Sequence, residues 1–117
     1  MKKIKIGIMP TKEVYQRMID IAAGRYVPKR GEPKVWFSSM KSLAEVLSDN
    51  NRLLLKIIAE AEPENIQELA KITGRQVSNL SRTLKTFESY GFVKMVKNDR
   101  SKKPVAEVMD FDICISA

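Results

Sequence analysis

Residues 63–97 read PENIQELAKITGRQVSNLSRTLKTFESYGFVKMVK, and they carry the clearest structural pattern in the chain. Apolar residues recur at helical spacing on both sides of Thr73-Gly74, which predicts two helices separated by a sharp turn. Glycine accepts the positive φ that such a turn commonly requires. The second helical pattern ends at Gly91, and an alternating apolar and polar segment follows. The predicted order is therefore helix, turn, helix and strand.

The second predicted helix, about residues 75–90, has two different faces. Its apolar face is formed by Val77, Leu80, Leu84 and Phe87. The opposite face has no apolar and no acidic residue, whereas a surface helix usually carries some glutamate for i,i+4 pairing. Arginine and amide side chains pair with base edges, and hydroxyl and ammonium groups suit phosphates. The predicted DNA-binding residues on this helix are Arg75, Gln76, Ser78, Asn79, Arg82, Thr83, Lys85 and Thr86.

Among these residues, Gln76, Asn79 and Arg82 are the candidates for base contacts. A helix with a polar face and an apolar face can dock on its own domain and still enter a DNA groove. The alternative is a helix whose polar face binds another protein.

Two alternating segments, residues 92–97 and 105–115, predict a β-hairpin after this helix. The predicted connection spans residues 98–104 and ends at Pro104. A basic hairpin tip can reach the minor groove or its phosphates, so the further predicted DNA-binding residues are Arg100, Lys102 and Lys103. The alternative is that these charges keep a strand edge soluble.

Positive charge is concentrated in the predicted helix and hairpin. The chain has a net charge of +7, and residues 71–103 contain nine basic and two acidic residues. Residues 41–70 contain three basic and six acidic residues. A solvated surface more often mixes both signs, so this segregation favours a polyanionic partner.

Between residues 38 and 74, three helical patterns precede the helix of residues 75–90. Ser39 or Ser42 caps the first, Ser48 caps the second, and Asn65 caps the third, with Glu68 three residues later. The buried stripe of the second is predicted to be Leu53, Leu54, Ile57, Ile58 and Ala61.

The first 37 residues predict a basic N-terminal extension ahead of a domain at 38–117. Residues 3–8 alternate as a strand does, and a helix capped by Thr11 follows. The apolar stripe of that helix is Val14, Tyr15, Met18, Ile21 and Ala22, with Gly24 as its stop. This extension could add a strand to the sheet, pair with a dimer mate or bind another protein.

Composition excludes several classes of function. The chain of 117 residues has no histidine and a lone cysteine, Cys114, so a metal site is not expected. It has no nucleophile motif, phosphate-cradling glycine run or facing carboxylate pair, so neither an enzyme nor a cofactor is expected. Residues 4–9 are too few for a signal core or a membrane span. A reducing, cytoplasmic setting follows as the expectation.

The domain at 38–117 resembles the winged helix-turn-helix regulators of the MarR-like and ArsR-like type. The matching residues are Ile66-Gln67-Glu68-Leu69-Ala70, Gly74, Val77-Ser78, Ser81-Arg82-Thr83-Leu84 and Tyr90-Gly91-Phe92-Val93. The resemblance implies an α+β fold, mainly α, with three to four helices and a β-hairpin wing, here with an N-terminal strand-helix extension. It also implies a homodimeric repressor that binds double-stranded DNA.

Two features qualify this resemblance. The chain lacks the long C-terminal dimerisation helix of MarR-like proteins and the metal ligands of ArsR-like proteins, so metal sensing is not implied. The segment Trp36-Phe37-Ser38-Ser39 is similar to a small group of DNA-binding proteins, some of them antitoxins encoded beside a toxin. The second functional hypothesis is therefore an antitoxin that binds a toxin-type protein through its N-terminal region and autoregulates its operon.

Overall fold

The structure, a computed structural model, describes residues 2–116 and confirms the predicted α+β class. Its helices are α1 (Thr11–Ala22), α2 (Met40–Val46), α3 (Asp49–Ala61), α4 (Ile66–Thr73) and α5 (Val77–Ser89). Its strands are β1 (Lys2–Ile8), β2 (Val35–Phe37), β3 (Val93–Asn98), β4 (Ser101–Ala106) and β5 (Val108–Cys114). None of these five helices has the length and apolar character needed to cross a membrane.

The chain divides into two compact units. One contains residues 46–109 together with Lys2, and the other contains residues 3–45 and 110–116. This division differs from the boundary predicted after Phe37, because β5 is the neighbour of β1 in a three-stranded sheet of order β2-β1-β5. The C-terminal strand therefore groups with the N-terminal residues. We call the two units the 46–109 unit and the 3–45 unit.

The 46–109 unit begins with two helices whose caps agree with the sequence. The Ser48 side chain accepts a hydrogen bond from the Asn51 amide at the start of α3, and Asn65 accepts one from Glu68 at the start of α4. Such caps satisfy amides that have no partner within the helix. The buried face of α3 is Leu54, Leu55 and Ile58.

The predicted α3 stripe was thus partly wrong: Leu53 is 54% exposed, whereas Leu55 is buried. At the start of α2 the cap is Ser39 and not Ser42, because the Ser42 amide donates to Ser39 Oγ at 3.1 Å.

Helix α5 follows a three-residue turn in which Gly74 has a φ of 73°. It begins at Val77, so Arg75 lies in the turn and Gln76 is the N-cap, instead of both being helical as predicted. Helices begin only where the backbone leaves the extended conformation, and Gln76 still has a ψ of 144°. The buried residues of α5 are Leu80, Leu84 and Phe87.

Strands β3 and β4 form an antiparallel hairpin, which corrects the predicted connection. Asn98 pairs with Ser101, so the turn is only Asp99-Arg100 and does not extend to Pro104. Pro104 instead lies inside β4 opposite Met95 and is buried. The predicted second strand, residues 105–115, is also divided between β4 and β5, which belong to different sheets.

In the 3–45 unit, β1 pairs in parallel with β2, with Gly7 opposite Trp36. A Cβ on Gly7 would lie 2.3 Å from the Trp36 ring, so only glycine allows this close approach. The Arg17 guanidinium lies 5.3 Å from the centre of the Trp36 ring and 4.9 Å from that of Tyr26. These are distances at which a cation interacts with an aromatic face.

Arg17 also forms a salt bridge of 2.6 Å with Glu32, and the Tyr26 hydroxyl donates to the same carboxylate. The hydrogen bond from Tyr26, followed by that from Arg17, lowers the pKa of Glu32 below its usual value. Helix α1 is thereby joined to the connector that leads to β2.

Helix α1 has no buried residue, although its sequence has the predicted apolar stripe. Its exposed large apolar side chains include Tyr15, Met18, Ile19 and Ile21, at 62%, 59%, 55% and 37% exposure. Its N-cap is Pro10, which makes no side-chain cap hydrogen bond, and Thr11 is its first helical residue. Gly24, with a φ of 76°, follows the end of the helix as predicted.

Candidate nucleic-acid interface

The outer surface of α5 and its N-cap is polar and exposed. Gln76, Ser78, Asn79, Arg82 and Lys85 are all exposed. The first turn of α5 has no acidic residue, and within residues 2–116 no salt bridge involves Arg82 or Lys85. The positive end of the helix dipole and two unpaired cations therefore occupy one surface, which favours an anion.

The Arg75 side chain is folded back along α5 and makes three sets of hydrogen bonds. Its Nε donates to Asn79 Oδ1 at 2.9 Å, and one terminal nitrogen donates to Thr83 Oγ1 at 3.1 Å. Both terminal nitrogens also lie 3.4 Å from Asn51 Oδ1 on α3. Every partner is neutral, so Arg75 keeps its full positive charge beside Asn79.

Thr83 and Thr86 use their hydroxyl hydrogens inside α5. Thr83 Oγ1 donates to the Asn79 carbonyl at 3.1 Å, and Thr86 Oγ1 donates to the Arg82 carbonyl at 3.2 Å. A hydroxyl has one hydrogen, so both side chains offer only lone pairs outward. In this conformation neither threonine is a donor to a phosphate, unlike Ser78, whose side chain is exposed.

The three predicted hairpin residues have different surroundings. Arg100 is exposed in the two-residue turn, and Lys102 is exposed on β4. Lys103 is also on β4, but its ammonium lies 3.5 Å from the Glu64 carboxylate, and its side chain is 28% exposed. Because the turn is shorter than predicted, Lys102 and Lys103 are strand residues and not part of a loop tip.

Lys97 belongs to the same surface, and sequence reasoning missed it. It is exposed and lies directly opposite Lys102 in the hairpin register. Like charges in directly opposed cross-strand positions destabilise a hairpin, and a bound anion removes that cost. Strand register could have revealed the pair, but register depends on the turn length, which was overestimated.

The hairpin turn is attached to the start of α4. Asn98 Nδ2 donates to the Glu64 carbonyl at 3.0 Å, and Ser101 donates to Asn98 Oδ1 at 2.8 Å. These two bonds hold Asn98, the residue before the turn. The position of Arg100 therefore depends on Glu64, which precedes the α4 cap.

A cleft of about 600 Å³ lies between the start of α3, the end of α4 and the start of α5. Leu53, Ile57 and Ile72 give it an apolar side, and Asn51, Arg75 and Asn79 give it a polar side. The polar side is the hydrogen-bonded group described above for Arg75.

A family model described as HVO_A0114 matches residues 46–113, which is more than half of the chain. The matched region contains α3, α4, α5, the hairpin and most of β5. No similarity to a curated protein or to a solved structure was found.

Proposed function

This chain belongs to the HVO_A0114 family, and we propose that it is a winged helix-turn-helix protein that binds double-stranded DNA in a sequence-specific manner. In this proposal α4 and α5 are the helix-turn-helix, α5 is the recognition helix in the major groove, and the β3–β4 hairpin is the wing. The protein acts as a transcriptional regulator of the MarR-like or ArsR-like type, most simply as a repressor.

The observation that carries this proposal is the composition and exposure of α5. Three apolar side chains on one face are buried, while Asn79 and Arg82 on the other face are exposed. Arginine pairs bidentately with guanine and asparagine with adenine, so the exposed groups are suited to base edges. Lys85 and Ser78 beside them suit phosphates, which position the protein without specifying a sequence.

The hairpin supports the same function by an independent observation. Lys97 and Lys102 oppose each other directly, and Arg100 lies in the adjacent turn. A polyanion that passes along this surface would neutralise the repulsion between the two lysines. The proposed wing contact is therefore with phosphates on the minor-groove side.

A homodimer is the proposed active form. Two recognition helices about 34 Å apart would enter successive major grooves of a palindromic site. If each protomer neutralises about four phosphates, the slope of log affinity against log salt is near −7.

The test is selection of bound sequences from a random duplex library, followed by titration of the selected duplex at several salt concentrations. We expect a steep negative slope, and we expect Arg82→Ala to weaken binding by roughly 1–3 kcal/mol and relax one base position. Lys56→Ala on α3 is the matched control, because it removes an exposed positive charge outside α5 and the hairpin. A slope near zero, or no sequence preference in the selection, would contradict the proposal.

A second candidate function, binding of a protein partner, is favoured by the exposed apolar face of α1. Tyr15, Met18 and Ile19 lie on one side of that helix and are each more than half exposed. The partner in this hypothesis is a toxin-type protein, which makes the chain an antitoxin that also regulates its own operon.

This candidate is tested by light scattering of the purified protein and of Ile19→Asp, each alone and after co-expression with the genes that flank its own gene. A stoichiometric small protein that co-purifies with the wild type and is lost in the variant supports the antitoxin function. A wild-type dimer that becomes a 13.3 kDa monomer in the variant assigns the face to self-association instead. Unchanged mass and composition in both samples contradict any docking role for α1.

A further inference from the structure

Asn51 connects helix α3 to the polar surface of α5 through a short chain of hydrogen bonds. Its Nδ2 donates to the Val46 carbonyl at 3.1 Å, and its Oδ1 faces both terminal nitrogens of Arg75. Arg75 in turn donates through Nε to Asn79 Oδ1. No sequence pattern connects Asn51 with the candidate DNA-binding residues, because Asn51 lies 24 positions before Arg75.

The chemistry of these groups determines the orientation of both amides. A guanidinium has only donors, so each asparagine must present its oxygen to Arg75. The Val46 carbonyl has only lone pairs, so it must receive the Asn51 NH₂. If the Asn51 amide were turned by 180°, its NH₂ would face the donors of Arg75 and its Oδ1 would face the carbonyl oxygen of Val46. Asn51 is therefore held in one orientation at both ends.

We propose that Asn51 is a positioning residue for base recognition: by holding Arg75, it fixes the amide orientation of Asn79 and so sets the sequence preference at the base pair that Asn79 reads. This inference rests on the proposed DNA-binding function. Asn51 itself does not need to touch DNA, and Arg75 acts through Asn79 as well as by its charge.

Orientation matters because the two ends of an asparagine amide have nearly the same shape and opposite hydrogen-bonding character. An unrestrained exposed asparagine turns about χ2 and presents either order of donor and acceptor. Base edges in the major groove are distinguished by that order. With Oδ1 held towards Arg75, Asn79 presents a single order and discriminates between base pairs.

The first measurement uses the free protein and does not depend on DNA. In ¹H–¹⁵N spectra the Arg75 Nε–H should be slowly exchanging and well resolved in the wild type. Asn51→Leu, which is similar in shape and has no acceptor, should shift this signal and accelerate its exchange. Asn51→Asp keeps an acceptor for the guanidinium but loses the donor to the Val46 carbonyl, so exchange should be slower than in Asn51→Leu and faster than in the wild type. Asn50→Ala is the matched control, an exposed neighbour in the same helical turn that makes no bond to Arg75.

The second measurement compares base preferences of the same variants by selection and by titration of single-base changes in the selected duplex. The base pair read by Asn79 is identified with Asn79→Ala, as the position in the duplex at which this variant loses its base preference. At that position Asn51→Leu should reduce discrimination by roughly tenfold, while the salt dependence stays that of the wild type. Asn50→Ala should keep the wild-type preference, and Asn51→Asp should retain more of it than Asn51→Leu.

The outcomes separate the two proposals. If Asn51→Leu lowers affinity equally for all sequences, or relaxes a position other than that of Asn79, Asn51 has only a structural role and the inference is wrong. An unchanged Arg75 Nε–H signal in Asn51→Leu also overturns it, whatever happens with DNA. If the wild type binds duplexes with no preference or no salt dependence, the proposed function itself fails, and the inference fails with it.

Discussion

Helices α1 and α5 have the same kind of amphipathic sequence and opposite surroundings. Helix α5 buries all but one of the four apolar side chains predicted for its inner face, whereas α1 buries none. The period of a sequence reports that one face of a helix is apolar, but it does not report what covers that face. An apolar stripe is therefore equally compatible with an internal core and with an exposed surface.

The two helices are also held by different forces. The buried contacts of α5 are apolar, including Phe87 and Phe92 with ring centres 6.2 Å apart. Helix α1 is held through Arg17, which is bonded to Glu32 and lies over two aromatic rings. Stability should therefore fall when a buried side chain of α5 is shortened. The attachment of α1 through Arg17 and Glu32 should instead depend on charge and pH.

The largest expected effect is loss of the Phe87 side chain. Phe87 is 0% exposed, so Phe87→Ala should lower the free energy of unfolding by roughly 3–5 kcal/mol through lost burial and the cavity it leaves. Met18→Ala on α1 is the matched truncation at a side chain that is 59% exposed, and it should change the same quantity by less than about 0.5 kcal/mol. Urea unfolding measures both. Equal losses would mean that the α1 face is covered in solution.

A smaller effect is expected where β1 approaches β2. In Gly7→Ala the new Cβ would meet the Trp36 ring at 2.3–2.6 Å and Pro33 at 3.0 Å, and overpacking of this kind costs roughly 1–3 kcal/mol. Trp36 is the chain's single tryptophan, so its fluorescence follows unfolding of the 3–45 unit directly. The same substitution in a Trp36→Leu background, which has no tryptophan and is therefore followed by circular dichroism in urea, should cost less. An undiminished cost there would show that the ring is not the obstacle.

The smallest expected effect is a pH dependence of stability that comes from Glu32, which is bonded to Arg17 and Tyr26. The pKa of Glu32 is lowered in the folded state by hydrogen bonds from Tyr26 and Arg17, so its contribution to stability is complete above its ordinary value of 4.5. That contribution is lost as the pH falls from about 4.5 through the lower folded-state value. Trp36 fluorescence between pH 3 and 7 should follow this loss in the wild type and in Glu13→Gln, and not in Glu32→Gln. The same titration curve in Glu32→Gln would assign the effect to another carboxylate.

The caps of α3 and α4, the turn at Gly74 and the buried face of α5 could be read from the sequence because each depends on neighbouring residues. Asn65 caps α4 through an amide three positions away, and Gly74 takes a positive φ as predicted. The exposure of Asn79 and Arg82 follows from the same local logic. A residue opposite a buried apolar stripe points away from the core.

The hairpin could not be read in this way. Alternation predicted strands on both sides of residues 98–104, but it could not fix which residues oppose each other. The two-residue turn sets the register, brings Lys97 opposite Lys102 and draws Lys103 to Glu64. The exposure of Leu53 in place of Leu55 has a similar origin, since apolar side chains fill both positions and only the packed neighbours select one.

By itself the sequence determined the α+β class, the order of most elements, the capped ends of α3 and α4 and the segregation of positive charge into residues 71–103. Three features depend on tertiary contacts: β5 lies beside β1, α1 leaves its apolar face exposed, and Arg75 bridges Asn51 and Asn79. The physical reason is the separation along the chain of the residues that determine each feature. Helix period, strand alternation and caps are set by residues within about one turn of each other, whereas strand partners, burial and contacts between helices depend on residues that are distant in the chain.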